Sequence, residues 1–182
     1  MKVEGEKMLQ NAVLFATERH FGQLRKDSIL PYIVHPMEVL KRVSSYGIND
    51  DAVLSAAVLH DVMEDCEVTF SELEKAFSLR VATIVQELSK SKEEDKKAYM
   101  SGFKQKSLES VIIKIADRFC NTMDFIGSGK IDYAVKYATQ ANEVIERAWL
   151  EIPNEQLHAD CQKLMALQGL SLNNKFRCVI HL

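Results

Sequence analysis

Apolar residues recur at three- and four-residue steps through much of this chain, the spacing of a buried helical face. Met8, Leu9, Ala12, Val13, Phe15 and Ala16 set out a first helix from about Val3 to Gly22. From Gln23 to Val34 the period breaks and the segment reads as a loop. Pro36 suits the first position of a second helix carrying Met37, Val39, Leu40 and Val43, which Gly47 should stop. Asn49 or Asp50 offers a cap for a third helix running through Leu54 and Leu59 into His60 and Asp61. Thr69-Phe70-Ser71-Glu72 has the capping-box pattern and opens a short fourth helix ending near Phe77. Val81, Ile84, Val85 and Leu88 mark a fifth over Leu79 to Leu88.

Ser89 to Lys97, nine residues with no apolar side chain, reads as a solvated loop or a helix start. From Leu108 the run Val111-Ile112-Ile113-Lys114-Ile115-Ala116 is too apolar for a surface helix. It should be central, with Asp117 at its end. Gly127-Ser128-Gly129 breaks the chain, and Ile131 to Trp149 reads as one long helix with Tyr133 and Tyr137 a turn apart on one face. Pro153 should open a last helix to about Gln168, closed by Gly169. The ending, Ser171 to Leu182, is ambiguous between a packed tail and other arrangements.

Only 7 Gly and 3 Pro in 182 residues favour long helices over many short strands. The expected fold class is all-α, a single domain over residues 1–182. A net charge of −3 provides no global basic field for nucleic acid. The four cysteines, Cys66, Cys120, Cys161 and Cys178, form no C-x-x-C pair, which points to free thiols in a reducing compartment. No apolar run approaches the roughly 18 residues of a membrane span, so a cytoplasmic location is expected. Oligomeric state leaves no trace in the sequence.

The chemistry concentrates where His60-Asp61 ends the apolar run of the third helix, with Glu64-Asp65 one turn on. Imidazole and carboxylate at the edge of a buried helix are costly without a partner, and together they suit a borderline divalent ion. The bland alternative is a capping His beside a solvated Asp. His35, before Pro36, is either a further ligand or a loop histidine. Asp117 has to be paired, capped or ligating, with Lys114 and Arg118 as candidate partners. Glu64 and Asp65 either act on an attacking water or form an acidic surface turn. Arg25 and Lys26, on the loop before His35, suit phosphate groups. Asn121 lies one turn past Asp117 and could reach the same pocket. Tyr137 could stack on a base, or pack in the core.

Four blocks in order resemble the HD-domain hydrolases of the RelA/SpoT family, and the length resembles their small stand-alone alarmone hydrolases. The blocks are His20-Phe21-Gly22-Gln23-Leu24-Arg25-Lys26, Pro31-Tyr32-Ile33-Val34-His35-Pro36, Ala56 to Asp65, and Lys114-Ile115-Ala116-Asp117-Arg118-Phe119-Cys120-Asn121. The resemblance spans about residues 5–150. It implies a helical HD bundle around one ion, usually Mn²⁺, with His35, His60, Asp61 and Asp117 as ligands. It also implies Glu64 and Asp65 as the water-activating pair, and Arg25, Lys26, Asn121 and Tyr137 around the nucleotide. The implied reaction removes the 3′-diphosphate of guanosine 3′,5′-bis(diphosphate) (ppGpp) or its pentaphosphate (pppGpp), leaving GDP or GTP and pyrophosphate. Nothing resembles the synthetase or regulatory domains of that family. Departures lie at Asp27-Ser28-Ile29-Leu30 and Ser78, where the family often has glycine, and in the lysine-rich stretch after Lys90.

The same residues would serve a phosphatase acting on NADPH or another nucleotide, which releases orthophosphate instead. They would also serve a nucleotide-sensing module without turnover, although a pure binder has no use for a water-activating pair.

Overall fold

The Asp50 carboxylate accepts the backbone N–H groups of Ala52 and Val53 at 3.0 and 3.2 Å, and a helix made almost wholly of apolar residues follows. It is one of eleven α-helices that a computed structural model shows among the described residues, which are 2–26 and 28–169. In chain order these are α1 Lys2–Arg19, α2 Val34–Ser45, α3 Asp51–Leu59, α4 Val62–Asp65, α5 Phe70–Ala76, α6 Leu79–Leu88, α7 Lys96–Ser101, α8 Leu108–Gly127, α9 Ile131–Gln140, α10 Asn142–Glu151 and α11 Glu155–Ala166. A 3-10 turn covers Gly102–Lys104. The fold class is all-α: among the described residues the only β pairing is an isolated bridge between Leu24 and Pro31. No described helix is long and apolar enough to cross a membrane.

The chain falls into two compact units, Met1–Lys96 and Lys97–Leu182. In the first, α3 is the central helix. Every residue from Val53 to Leu59 is buried, and α1, α2 and α6 pack around it. A helix apolar on all sides has to be enclosed in this way, and each large aliphatic side chain so buried contributes about 1.5–3 kcal/mol. Gly47, at φ +80°, ends α2 in the left-handed region. The Thr69 capping box is present, with the hydroxyl and the Glu72 carboxylate each taking up a backbone N–H of the other residue. In the second unit α8 is the centre, packed by α9, α10 and α11.

Three boundaries differ from the sequence reading. Asp117 ends the apolar run but lies in the middle of α8, because Phe119 and Thr122 carry the buried face onward. Residues 131–149 are not one helix. Ala141 (φ −88°, ψ 0°) separates α9 from α10. The break is silent in the pattern because Ala138, Ala141, Val144 and Ile145 are all buried through it. The last helix is opened by Asn154, whose side chain accepts the Leu157 N–H at 2.9 Å. The tail from Ser171 to Leu182 lies outside the described residues.

Candidate metal centre

His60 is the residue that closes α3, and Asp61, at φ −103° and ψ −7°, turns the chain before α4 begins. This end solves a geometric problem. Neighbours inside a regular helix point about 100° apart, whereas here both side chains turn to one place. His60 is 1% exposed. Its Nδ1 lies 2.8 Å from the Ala57 carbonyl oxygen, so in the neutral ring Nδ1 carries the hydrogen and Nε2 the lone pair. That Nε2 stands 2.9 Å from Asp61 Oδ2.

His35 comes from the first turn of α2 and is also 1% exposed. Its Nε2 is 3.7 Å from the same Asp61 oxygen, and the two imidazole rings are 5.2 Å apart at 69°. Two imidazole nitrogens thus converge on one carboxylate oxygen. Lone pairs facing each other repel unless a cation lies among them, and a mixed imidazole–carboxylate donor set suits a divalent ion. The residues present fit the group that the sequence pattern implied.

Glu64 and Asp65 occupy α4, one turn beyond. Glu64 Oε2 accepts the Lys90 backbone N–H at 3.2 Å, which ties α4 to the chain leaving α6. Desolvation around the Asp65 carboxyl, with the negative charges of Asp61 and Glu64 nearby, raises it above the ordinary aspartate value.

The loop before α2 is held back on itself. Tyr32 N–H donates to Gln23 O at 2.9 Å, and Arg25 N–H to Leu30 O at 2.9 Å. This closure carries the half-buried Tyr32 to the site, where its hydroxyl donates to Asp61 Oδ2 at 2.7 Å. Burial, then the charge and hydrogen bond of Asp61, push the Tyr32 phenol far above its ordinary value. The Arg25 guanidinium lies 5.9 Å from the Tyr32 ring centre, and Lys26 is exposed beside it. The site reading of the sequence missed Tyr32. Its signal was a tyrosine three residues before His35, in a segment with no helical period to orient it.

In the second unit α8 presents Lys114, Asp117 and Asn121 along one face. Asp117 is buried, with Lys114 Nζ 3.0 Å from Oδ2 and Asn121 Nδ2 2.5 Å from Oδ1. Of the two candidate partners, the helix selects Lys114. Arg118 turns away instead, donating to Met100 Sδ at 3.3 Å. Its guanidinium lies 4.6 Å from the ring centre of Tyr137. Tyr133 and Tyr137 do share a face, both packing on Phe125 at 5.8 and 5.1 Å.

Comparison with known proteins follows this geometry. A family model described as "HD domain" matches residues 12–144, a stretch that runs through both units. A Xenopus tropicalis protein named guanosine-3′,5′-bis(diphosphate) 3′-pyrophosphohydrolase MESH1 is 39% identical over 64% of this chain and 69% of its own. The Mus musculus protein of the same name is 32% identical over 94% of this chain and all of its own length. The Escherichia coli bifunctional (p)ppGpp synthase/hydrolase SpoT is 34% identical over 76% of this chain and 21% of its own. Among solved structures, one described as a metazoan ortholog of SpoT that hydrolyzes ppGpp superposes with a TM-score of 0.76. It is 27% identical, and the match covers 90% of this chain and 96% of that one. The chain belongs to the HD-domain family, in the branch that holds the MESH1 and SpoT hydrolases.

Proposed function

We propose that this chain hydrolyses the 3′-diphosphate of ppGpp and pppGpp, releasing pyrophosphate and leaving GDP or GTP. The observation that carries the reading is the convergence of His35 Nε2 and His60 Nε2 on Asp61 Oδ2. It stands in a chain whose MESH1 relatives are named for that reaction. Residues 1–182 act as one HD hydrolase domain of the cytoplasm, taking a small nucleotide rather than nucleic acid.

His35, His60, Asp61 and Asp117 would hold one ion, Mn²⁺ being the metal proposed. Their support is chemical: His35, His60 and Asp117 are buried side chains of ligand type, and His60 already has the tautomer a ligand needs. When bound, such an ion supplies Lewis-acid neutralisation of charge developing at a phosphoryl group. Glu64 and Asp65 orient the attacking water and accept its proton. Arg25 and Lys26 hold phosphate oxygens of the substrate. Asn121 and Tyr137 line the nucleotide side, Tyr137 offering a ring face. Phosphoryl chemistry of this kind is mainly positioning and electrostatics, which is what a set of rigid helix ends provides.

The test is incubation of the purified protein with ppGpp and MnCl₂, beside Asp61→Ala and metal-free controls, with products resolved by ion exchange. GDP and pyrophosphate, absent from both controls, are the expected result. Orthophosphate from ppGpp or from NADPH would move the reading to a nucleotide phosphatase. Tight binding with the nucleotide returned unchanged would make the protein a sensor.

A further inference from the structure

We infer that Tyr32 is a positioning residue of this hydrolase, fixing Asp61 as a metal ligand through its hydroxyl. The inference rests on the metal-dependent reading above and goes beyond it, because Tyr32 lies outside the set of ligands, water-activating carboxylates and nucleotide contacts.

The geometry has two parts. First, the Tyr32 hydroxyl donates to Asp61 Oδ2 at 2.7 Å, the same oxygen on which His60 and His35 converge. The terminal torsion of an aspartate is broad and two-fold, so without a donor the carboxylate can swing off that point. Second, the ring is itself held. It lies on the His20 ring at 4.7 Å and 33°. His20 is 2% exposed, with Nδ1 2.8 Å from Gln23 Oε1 and 3.2 Å from Cys66 Sγ. Gln23 in turn donates to the Asp65 carbonyl oxygen at 3.3 Å and accepts the Tyr32 N–H through its own carbonyl. The hydroxyl is therefore set by ring stacking, by the backbone and by the same strand of chain that bears Asp65.

Partners of metal ligands orient them, and losing one typically costs 10–100-fold in metal affinity. Tyr32→Phe keeps the ring on His20 and deletes only the hydroxyl. Mn²⁺ binding to the metal-free protein, followed by calorimetry without any nucleotide, should weaken by about 10–100-fold. At saturating Mn²⁺ both kcat and KM for ppGpp should return close to wild type, because the hydroxyl acts through retention of the ion. A purely structural role would instead lower the melting temperature of the metal-free protein and leave the Mn²⁺ affinity alone.

A double-mutant cycle makes the coupling explicit. Added to Asp61→Asn, the Tyr32→Phe change should alter Mn²⁺ affinity by less than about twofold, since its effect passes through Asp61. Tyr32→Phe binding Mn²⁺ like wild type, or a full independent loss in the Asp61→Asn background, would overturn the inference while leaving the hydrolase reading intact. Wild-type protein that binds no divalent ion would overturn both. Wild type that binds Mn²⁺ but spares ppGpp would remove the substrate reading alone, and the affinity comparison would still decide the role of Tyr32.

Discussion

His60 donates its Nδ1 hydrogen to the carbonyl oxygen of Ala57, three residues back and 2.8 Å away, within the last turn of α3. A helix end has carbonyls without intrahelical partners, and this one is used to choose a tautomer. The consequence is that Nε2, facing Asp61, is a base ready for a cation. An Nδ1-bound neighbour is how metal-ligating histidines are commonly oriented.

His60→Gln should therefore lose the ion rather than merely slow the chemistry. Since partners of ligands are worth 10–100-fold in affinity, loss of a ligand should cost at least about 100-fold. Dialysed protein measured for metal content, alongside turnover of ppGpp, checks this. Full occupancy and full turnover in the variant would take His60 out of the ligand set.

Asp65→Asn separates the water-activating role from ligation. The side chain keeps its size and its place on α4, but it no longer accepts a proton. Turnover should fall by about 10²–10⁴-fold, the usual worth of general base catalysis, while Mn²⁺ affinity stays close to wild type. Equal loss of metal would reassign Asp65 to the ion's own shell.

Lys114 and Asp117 form a buried pair one turn apart on α8, at 3.0 Å. Removing one member of such a pair leaves the other charge uncompensated and costs about 3–5 kcal/mol. Lys114→Met should therefore lower the melting temperature of the metal-free protein by roughly 6–20 °C, at about 2–4 °C per kcal/mol for a chain this long. If Asp117 binds the ion, Mn²⁺ should recover more stability in Lys114→Met than in wild type. Differential scanning calorimetry with and without Mn²⁺ reads both effects, and an unchanged metal-free melting point would show that the pair contributes nothing.

Much of this was legible because local signals agreed with the tertiary result. Asn49 or Asp50 before a largely apolar run announced α3, which Asp50 caps, Thr69 and Glu72 announced α5, and the spacing of Val81, Ile84, Val85 and Leu88 marked α6 with its observed bounds. The adjacency of His60 and Asp61 flagged the site because two polar groups at the end of that run needed a reason. Pairing within α8 was half legible. Lys114 and Arg118 were both candidates for Asp117, and helical geometry decided it, since an adjacent residue points about 100° away and one three back lies alongside. The rest was carried by non-local closure. Nothing periodic in Gln23 to Ile33 says that the loop folds back through Leu24 and Pro31, so nothing says that Tyr32 reaches Asp61. The turn at Ala141 was hidden because the buried face runs straight across it.

Asp50 provides a prediction at a distance from the chemistry. Partial burial works against its ionisation, but the hydrogen bond from Arg80 and those from the Val53 and Ala52 backbone outweigh it and hold the carboxyl below its ordinary value. The Arg80 contact, 2.7 Å long, is solvent-exposed and adds little by itself. The cap is the larger part, so Asp50→Ala should cost about 1 kcal/mol at neutral pH. The sign of the pH dependence follows from the depressed value. A carboxylate more acidic in the folded state contributes its stability in full above its unfolded pKa and loses it as pH falls through the folded one. The gap in urea midpoint between wild type and Asp50→Ala should thus be constant from pH 8 to about 5 and narrow progressively below about pH 4. A gap that did not narrow at all as pH is lowered through the acid range, or that widened there, would mean that Asp50 acts through packing and not as a charged cap.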